Sequence, residues 1–163
     1  MKALLLILIL TSCNVFAFRA KVLRVKDGDT IFAFNDSNYY SIRLYGIDAP
    51  EKSQPYGGDA TQALEKLILE KYVEVDSVNR DRYNRLVAKI FVSTKNNKRL
   101  DVGLVLINSG YAWAYPGYCK IKDYFDAEKN AKLKQRGLWK GYRPERPSEY
   151  RKRKKARKSK RIK

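Results

Sequence analysis

Short runs that alternate apolar and polar residues limit the fold of this chain more than any other feature. They lie at residues 21–24, 30–34, 39–47, 72–78 and 86–93, and turn residues such as Gly, Asn and Asp separate them. Alternation with a period of two predicts strands that bury one face. Five short strands, interrupted and followed by helical segments, indicate a small β-barrel with helices packed on it, which is an α+β domain.

The same alternation predicts which side chains point into the barrel. In the third strand Ile42 and Leu44 lie on one face, so Arg43 faces the opposite way, away from the core. A charged side chain at position 43 is therefore available for function. The expected core members of the first three strands are Val22, Val25, Ile31, Phe32, Ile42 and Leu44.

Three helices are predicted from the spacing of apolar residues and from cap residues. Residues 60–68 carry apolar side chains at helical spacing, and Asp59 stands before them as an N-cap. Asp101 is expected to cap a short helix that Gly110 stops, and Asp123 to cap a longer helix that Gly137 ends. The helices are expected to pack on the barrel.

Missing residue types exclude many catalytic mechanisms. The chain has no histidine and only two cysteines. A Ser-His-Asp triad, a Cys-His pair and a histidine-based zinc site therefore cannot be built. Any catalysis must use carboxylate, Arg, Lys or Tyr side chains, or a metal ion held by oxygen ligands.

The first 17 residues show the pattern of a secretory signal peptide. A lysine at position 2 precedes an apolar run at 3–10 and then small residues, and the run is too short for a membrane span. V-F-A ending at Ala17 fits ordinary cleavage, whereas L-T-S-C ending at Cys13 resembles a bacterial lipoprotein box. We expect export in either case. Ordinary cleavage would leave Cys119 as the only cysteine, so no internal disulfide could form.

The C-terminal segment is strongly basic. The whole chain carries a net charge of +18, and residues 151–163 contain ten Lys or Arg residues and no acidic residue. Such a composition cannot bury a core, so residues 143–163 are predicted to be a disordered tail after a folded domain at 18–142. The tail has no amphipathic face for a membrane, and a polyanion such as nucleic acid is its expected partner.

Carboxylates and arginines gather in three motifs. The segment R-L-Y-G-I-D-A-P-E begins as a strand at Arg43 and ends in a turn with Asp48 and Glu51, because Pro50 cannot donate to a sheet. D-G-D-T lies upstream at 27–30, and R-Y-N-R lies downstream at 82–85. An oxygen-ligated cation with arginines suits phosphate chemistry, in which positioning and charge stabilisation lower the barrier.

In their order and spacing these motifs, with A-W-A-Y and G-L-W further on, resemble the staphylococcal nuclease (thermonuclease) family over roughly residues 20–142. D-G-D-T alone is a common turn, but Arg43 placed fourteen residues after Asp29, eight before Glu51 and ahead of a Tyr-x-Arg is a specific combination. The resemblance implies a five-stranded OB-fold barrel with three helices. It also implies a Ca²⁺-dependent nuclease that acts on DNA and RNA.

The resemblance implies a Ca²⁺ site by position. Asp29 and Asp48 would ligate the ion through their carboxylates, and Ala49 through its backbone carbonyl. The best-known member of the family has a threonine in place of Ala49. That departure should matter little if only the carbonyl is used.

The resemblance also implies catalytic and substrate-binding residues. Glu51 would orient or deprotonate the attacking water, while Arg43 and Arg85 would hold the scissile phosphate. Tyr83 would line the nucleotide pocket. Asn84 departs from the family, which commonly has a glycine between this Tyr and Arg.

Other hypotheses stay open at the level of sequence. Tyr83, Tyr115 and Tyr118 are candidates for substrate binding, but aromatic residues near a barrel also serve as packing. Trp113 and Trp139 are interpreted as structural. A non-catalytic OB-fold binding module is a second function, and a surface protein or adhesin that binds anionic polymers through its tail is a third. A monomer is expected.

Overall fold

The alternating segments form the strands of a closed barrel in the computed structural model, which describes residues 17–36, 38–94, 96–117, 119–141 and 143–161. The rest of the predicted signal peptide before residue 17 lies outside these residues, as does Tyr118. In chain order the strands are β1 (Ala17–Asp27), β2 (Thr30–Asn35), β3 (Asn38–Leu44), β4 (Ile47–Asp48), β5 (Tyr72–Arg80), β6 (Leu86–Ser93), β7 (Arg99–Asp101) and β8 (Trp113–Ala114).

Five of these strands close the barrel. The order is β3-β2-β1-β5-β6, with antiparallel neighbours throughout, and β3 pairs with β6 in parallel to complete the ring. The short strand β7 extends the sheet beside β6, while β4 and β8 pair separately. The predicted α+β class with a five-stranded OB-fold barrel is confirmed.

The barrel interior holds the apolar residues of the alternating pattern. Ile31 and Ile42 are fully buried, as are Val22 and Val75 on neighbouring strands. Phe32 was expected in the core, and this prediction was wrong. Phe32 lies half-exposed on the outer face of β2, where the Arg24 guanidinium stacks 4.3 Å from its ring centroid. The period of two places Ile31 and Ala33 inside, so the residue between them must point out.

Helices cover the barrel as expected, although their starts differ from the predicted caps. They are α1 (Gly57–Ile68), α2 (Val102–Asn108), α3 (Lys122–Leu133) and α4 (Pro147–Arg161), with a 3₁₀ turn at Gly137–Lys140. Asp101 caps α2, since its carboxylate accepts the Leu104 amide at 3.1 Å. Asp59 and Asp123 are not caps, because both lie inside the first turns of their helices. A carboxylate there interacts favourably with the positive end of the helix dipole.

The fourth helix corrects the predicted disorder of the C-terminal tail. Residues 147–161 are helical, with Pro147 at the first helical position and Glu149 in the first turn. The Glu149 carboxylate accepts the Arg146 amide at 3.3 Å, which is half of a capping box. Lys, Arg and Ala are also good helix formers, so a segment without a core of its own can be helical once its start is fixed. The prediction of disorder was based on the lack of apolar residues and did not take these helix signals into account.

Two tryptophans join the last elements to the barrel. Trp113 on β8 is buried, and its ring packs edge-on against Trp139 with centroids 5.8 Å apart. This contact agrees with their interpretation as structural residues. Within the part of the chain that the structure describes, no helix has the length and apolar character needed to cross a membrane.

Candidate active site

A tight turn between β1 and β2 places the first acidic residue of the site. Gly28 occupies this turn, and a Cβ at that position would lie 2.8 Å from the Cβ atoms of both Ala49 and Ala60. Only glycine lets the turn pack so closely against helix α1 and against the loop that contains Ala49, Pro50 and Glu51. As a result, Asp29 stands directly beside Ala49, twenty residues away in sequence.

Arg43 joins the two buried aspartates. Its Nη1 lies 2.5 Å from Asp29 Oδ1 and its Nη2 lies 3.0 Å from Asp48 Oδ1. The aspartate side chains are only 5% and 4% exposed, and that of Arg43 is 21% exposed. The arginine faces away from Ile42 and Leu44, as the alternation predicted, and it enters an acidic cluster rather than solvent.

Asp29 is held by more than this ion pair. Its Oδ2 accepts the Ala49 amide at 2.9 Å, and its Oδ1 accepts the Thr30 hydroxyl at 3.0 Å. With the Arg43 contact, the carboxylate therefore has three donors from three parts of the chain. A buried carboxylate with this many donors has a fixed orientation.

The negative charge of the cluster is only partly compensated. Burial and the nearby Asp29 raise the pKa of Asp48, against the opposing effect of Arg43. Burial and Asp29 also raise the pKa of Asp27 to about 6. Burial would lower the pKa of Arg43, but Asp29 and Asp48 outweigh it and raise that pKa. Additional positive charge would thus stabilise the ionised carboxylates.

The donor set suits a hard cation such as Ca²⁺. Asp29 and Asp48 both bind Arg43, so their carboxylates lie close together. Ca²⁺ also accepts backbone carbonyls and water among its six to eight ligands. No group of three or more His, Cys, Asp or Glu side chains forms a ready metal centre among the described residues. The feature that fits a cation is therefore the pair of buried carboxylates, whose negative charge Arg43 compensates only in part.

Glu51 lies at the mouth of the site on the loop after β4. Its amide donates to Gln54 Oε1 at 3.1 Å, which closes the loop on itself. Its carboxylate is more accessible than those of the aspartates, with a side chain 37% exposed. Its Oε1 accepts a hydrogen bond from Arg151 Nη1 at 2.5 Å, a contact between residues 100 positions apart.

Arg85 approaches the cluster from the position just before β6. Asp81 holds it through Nε at 2.8 Å and Nη2 at 2.7 Å, and its Nη1 makes a long contact of 3.5 Å with Thr30 Oγ1. Asn84 precedes it with a positive φ of 60°, a conformation that Asn tolerates better than most residues. Asn84 therefore keeps the turn in place of the glycine that the family resemblance implies.

The candidate tyrosines differ in what the structure shows. Tyr83 is 65% exposed and lies beside the arginines, with the Arg85 guanidinium 5.5 Å from its ring centroid. Tyr115 is half-buried after β8, and its amide donates to the Gly46 carbonyl at 2.9 Å. Tyr118 lies outside the described residues, so its prediction stays untested.

Several residues of the site were missed by sequence reasoning. Asp81 has a detectable signal, because it stands four residues before Arg85 at the head of a turn. Asp27 was visible as the first acid of D-G-D-T. Gln54 and Arg151 had no local signal, since their roles depend on contacts with distant parts of the chain.

Comparisons with known proteins agree with the observed fold. Residues 41–141 match the family described as Staphylococcal nuclease homologue. A protein of Haemophilus influenzae named an uncharacterized endonuclease is 33% identical over 153 residues, which cover 93% of this chain and 83% of that protein. The Micrococcal nuclease of Shigella flexneri is 33% identical over 128 residues, 75% of this chain and 74% of its own length.

A further relative is Protein ParB of Escherichia coli, which is 34% identical over 143 residues, 84% of this chain and 81% of that protein. The family match covers more than half of the chain, and the relatives are similar along most of their length. The chain therefore belongs to the staphylococcal nuclease family, and its function class is that of a nuclease.

Proposed function

We propose that the protein is an exported, Ca²⁺-dependent endonuclease that hydrolyses phosphodiester bonds of DNA and RNA with little sequence specificity. The observation that carries this proposal is the cluster in which Arg43 joins the buried Asp29 and Asp48 beside the Glu51 loop. Its carboxylates and arginines suit phosphodiester hydrolysis in a chain that has no histidine. Monomeric behaviour and the location outside the cytoplasm are part of the same proposal.

The arginines would stabilise the charge that develops on the phosphate. Hydrolysis increases negative charge on the non-bridging oxygens, and fixed guanidinium donors compensate it most effectively when they need not reorganise. Asp29 and Asp48 fix Arg43, and Asp81 fixes Arg85 through two nitrogens. The Arg43 and Arg85 side chains are 21% and 23% exposed, so both remain partly accessible to a substrate.

Asp29, Asp48 and the carbonyl of Ala49 are the groups proposed to hold Ca²⁺. When bound, the ion would supply positive charge for the phosphate and for the acidic cluster. Burial and the nearby Asp29 raise the pKa of Asp48, so a bound cation would stabilise its ionised form.

Glu51 is the proposed general base. Its carboxylate would accept a proton from water as the water oxygen bonds to phosphorus and the phosphorus–oxygen ester bond breaks, with the leaving oxygen protonated from solvent. Its position at the mouth of the site gives water access, and its loop is anchored by the Gln54 side chain. A carboxylate can perform this role in a chain without histidine.

Low sequence specificity follows from the types of contact that are available. Arginines contact the backbone phosphates, and Tyr83 presents an exposed ring on which any base can stack. The basic residues 151–163 would add contacts to the phosphates of a long polyanion through counterion release. Tyr115 and Tyr118 remain candidates for the same stacking role.

A chelator assay tests the proposed activity. Plasmid DNA and a structured RNA should be degraded in Ca²⁺ and spared in EGTA, with recovery when Ca²⁺ is restored. Activity that EGTA leaves unchanged would overturn the metal requirement. No activity in either condition would favour a binding module without catalysis.

Two variants test the proposed base. Glu51→Gln should keep the fold and lower kcat by a factor of roughly 10² or more, because the proton acceptor is lost. Glu70→Gln makes the same chemical change at an exposed glutamate away from the site and serves as the matched control. Near-full activity of Glu51→Gln would remove Glu51 from the mechanism.

Export needs a separate experiment, because it rests on the N-terminal 17 residues alone. Expression of the full chain in a bacterium, followed by fractionation and mass determination, should give a protein shortened at its N-terminus and located outside the cytoplasm. Cleavage after Ala17 and lipid attachment at Cys13 give different masses. An uncleaved cytoplasmic protein would contradict the proposal.

A further inference from the structure

We infer that Arg151, on the C-terminal helix α4, is a positioning residue of the nuclease site that holds the Glu51 carboxylate. This inference rests on the proposed function, because it assigns a partner to the proposed base. It also places the start of the basic C-terminal segment within the site rather than beyond the domain. The contacts that support it form a network between residues 51–54 and residues 145–154.

The ion pair itself is short and joins two acids of the site. Arg151 Nη1 lies 2.5 Å from Glu51 Oε1, and Nη2 lies 3.8 Å from Asp48 Oδ2. One guanidinium therefore faces both the proposed base and a proposed metal ligand. A planar, multiply donating group can fix a carboxylate in this way, whereas an ammonium group acts as a point charge.

Neighbouring residues fix the first two turns of α4 on the same loop. The Tyr150 hydroxyl donates to the Ser53 carbonyl at 2.8 Å and lies 3.0 Å from Ser53 Oγ. Lys154 Nζ donates to Ser53 Oγ at 3.2 Å. Arg151 thus lies between two residues that anchor its helix, so its approach to Glu51 is supported on both sides.

Gln54 connects the base to the segment before α4. Its side chain is buried; Oε1 accepts the Glu51 amide at 3.1 Å and Nε2 donates to the Glu145 carbonyl at 2.6 Å. Arg153 then binds the Glu145 carboxylate through two nitrogens at 2.8 and 2.7 Å. The backbone of Glu51 is therefore held by the same C-terminal segment that holds its carboxylate.

The solvent exposure of the Arg151–Glu51 pair indicates whether it contributes to stability or to positioning. The Arg151 and Glu51 side chains are 47% and 37% exposed, so solvent screens the pair and its contribution to stability is small. An orientation effect does not need a large contribution to stability, because displacing a reacting group by about 1 Å can lower the rate up to about a hundredfold. Arg151 should therefore affect turnover much more than folding.

Steady-state kinetics of full-chain variants on a short oligonucleotide test the inference. Arg151→Ala should lower kcat about tenfold or more, with a melting temperature close to that of the unchanged chain. Arg151→Lys should recover part of the loss. Millimolar guanidinium chloride should restore turnover to Arg151→Ala, and the same concentration of NaCl should not.

Lys155→Ala is the matched control for charge. It removes one positive charge one turn further along α4, and Lys155 has no ion pair among the described residues. It should change KM alone. If Arg151→Ala also changes only KM, or if its kcat rises, Arg151 does not position the base and the inference is overturned.

Hydrogen exchange gives a result that does not depend on activity. Peptides that cover residues 51–57 should exchange faster in Arg151→Ala than in Lys155→Ala, because the loop loses one of its supports. Equal exchange in the two variants would overturn the inference even if the protein cleaves nucleic acid. If the unchanged chain shows no cleavage, the proposed function fails, and faster exchange would still show that Arg151 holds the loop.

Discussion

Two acid–arginine groups lie side by side in this site and differ in almost every physical respect. Asp29, Arg43 and Asp48 form a buried cluster on the barrel, whereas Glu51 and Arg151 form an exposed pair between a loop and the terminal helix. The first group is held by neighbouring strands and by backbone donors. The second depends on the docking of α4.

The difference in burial gives the two groups different roles, one in folding stability and the other in positioning the proposed base. Charges in the buried cluster have lost much of their hydration, so each depends on its partners, and removal of one partner leaves a charge uncompensated. The exposed pair keeps its hydration, and its loss costs little folding free energy. We therefore expect the cluster to govern folding and cation binding, and the pair to govern the geometry of the proposed base.

The largest expected effect is that of Arg43→Ala. The substitution leaves two buried carboxylates without their main counter-charge, so the free energy of unfolding should fall by about 3–5 kcal/mol. Arg151→Ala should lower it by less than about 1 kcal/mol. Urea denaturation in EGTA measures both, and equal losses would show that burial does not distinguish the two groups.

Calcium should stabilise the buried cluster. A ligand that binds only the folded state at about 100 times its Kd adds about 2.7 kcal/mol, so the melting temperature should rise in Ca²⁺ relative to EGTA. Asp48→Asn should lose this rise. The matched control is Asp59→Asn, an exposed acid in α1 that should keep it; if both variants keep the rise, the ion binds elsewhere.

Gly57 and Gly58, at the start of α1, differ in how closely they approach the loop that contains Glu51. A Cβ on Gly57 would lie 2.0 Å from the Glu51 carbonyl oxygen, whereas a Cβ on Gly58 would have no atom within 4 Å. Gly57→Ala should destabilise the protein by about 1–3 kcal/mol through overpacking and should displace the proposed base.

Gly58→Ala is the matched control for that substitution. It should stabilise helix α1 by about 0.5–1 kcal/mol, because alanine loses less conformational freedom than glycine when the helix forms. Thermal denaturation together with kcat on a short oligonucleotide measures both variants. Similar behaviour of the two would contradict the close approach of Gly57 to Glu51.

The smallest effect on folding should come from the end of α4. Removal of residues 155–163 leaves Tyr150, Arg151 and Lys154 in place, so the melting temperature should change little. KM for long DNA should rise at low salt, and the difference from the full chain should vanish as salt screens the charges.

A second truncation locates the boundary between the two roles of α4. Removal of residues 145–163 takes away the network around Glu51, so kcat should fall as well. If both truncations behave alike in kcat, the contacts of residues 145–154 do not matter for the site.

Features of this protein that depend on the local order of residues could be predicted before the structure was known. Alternating residues specified the barrel strands, and the D-G-D-T turn and Pro50 placed Asp29 and Glu51 at strand ends. Arg43 was predicted to face away from Ile42 and Leu44, because side chains alternate along a strand. These features follow from neighbouring residues, so the sequence contains them directly.

Contacts between residues far apart in the chain became known from the three-dimensional fold alone. Arg43 could have faced solvent, but closure of the barrel and the close approach at Gly28 bring Asp29 and Asp48 to it. Composition suggested disorder for α4, yet its first turn rests on the Glu51 loop and brings Arg151 across 100 residues of chain. Such contacts depend on how the helix packs against the barrel and its loops, and no local pattern of residues encodes that packing.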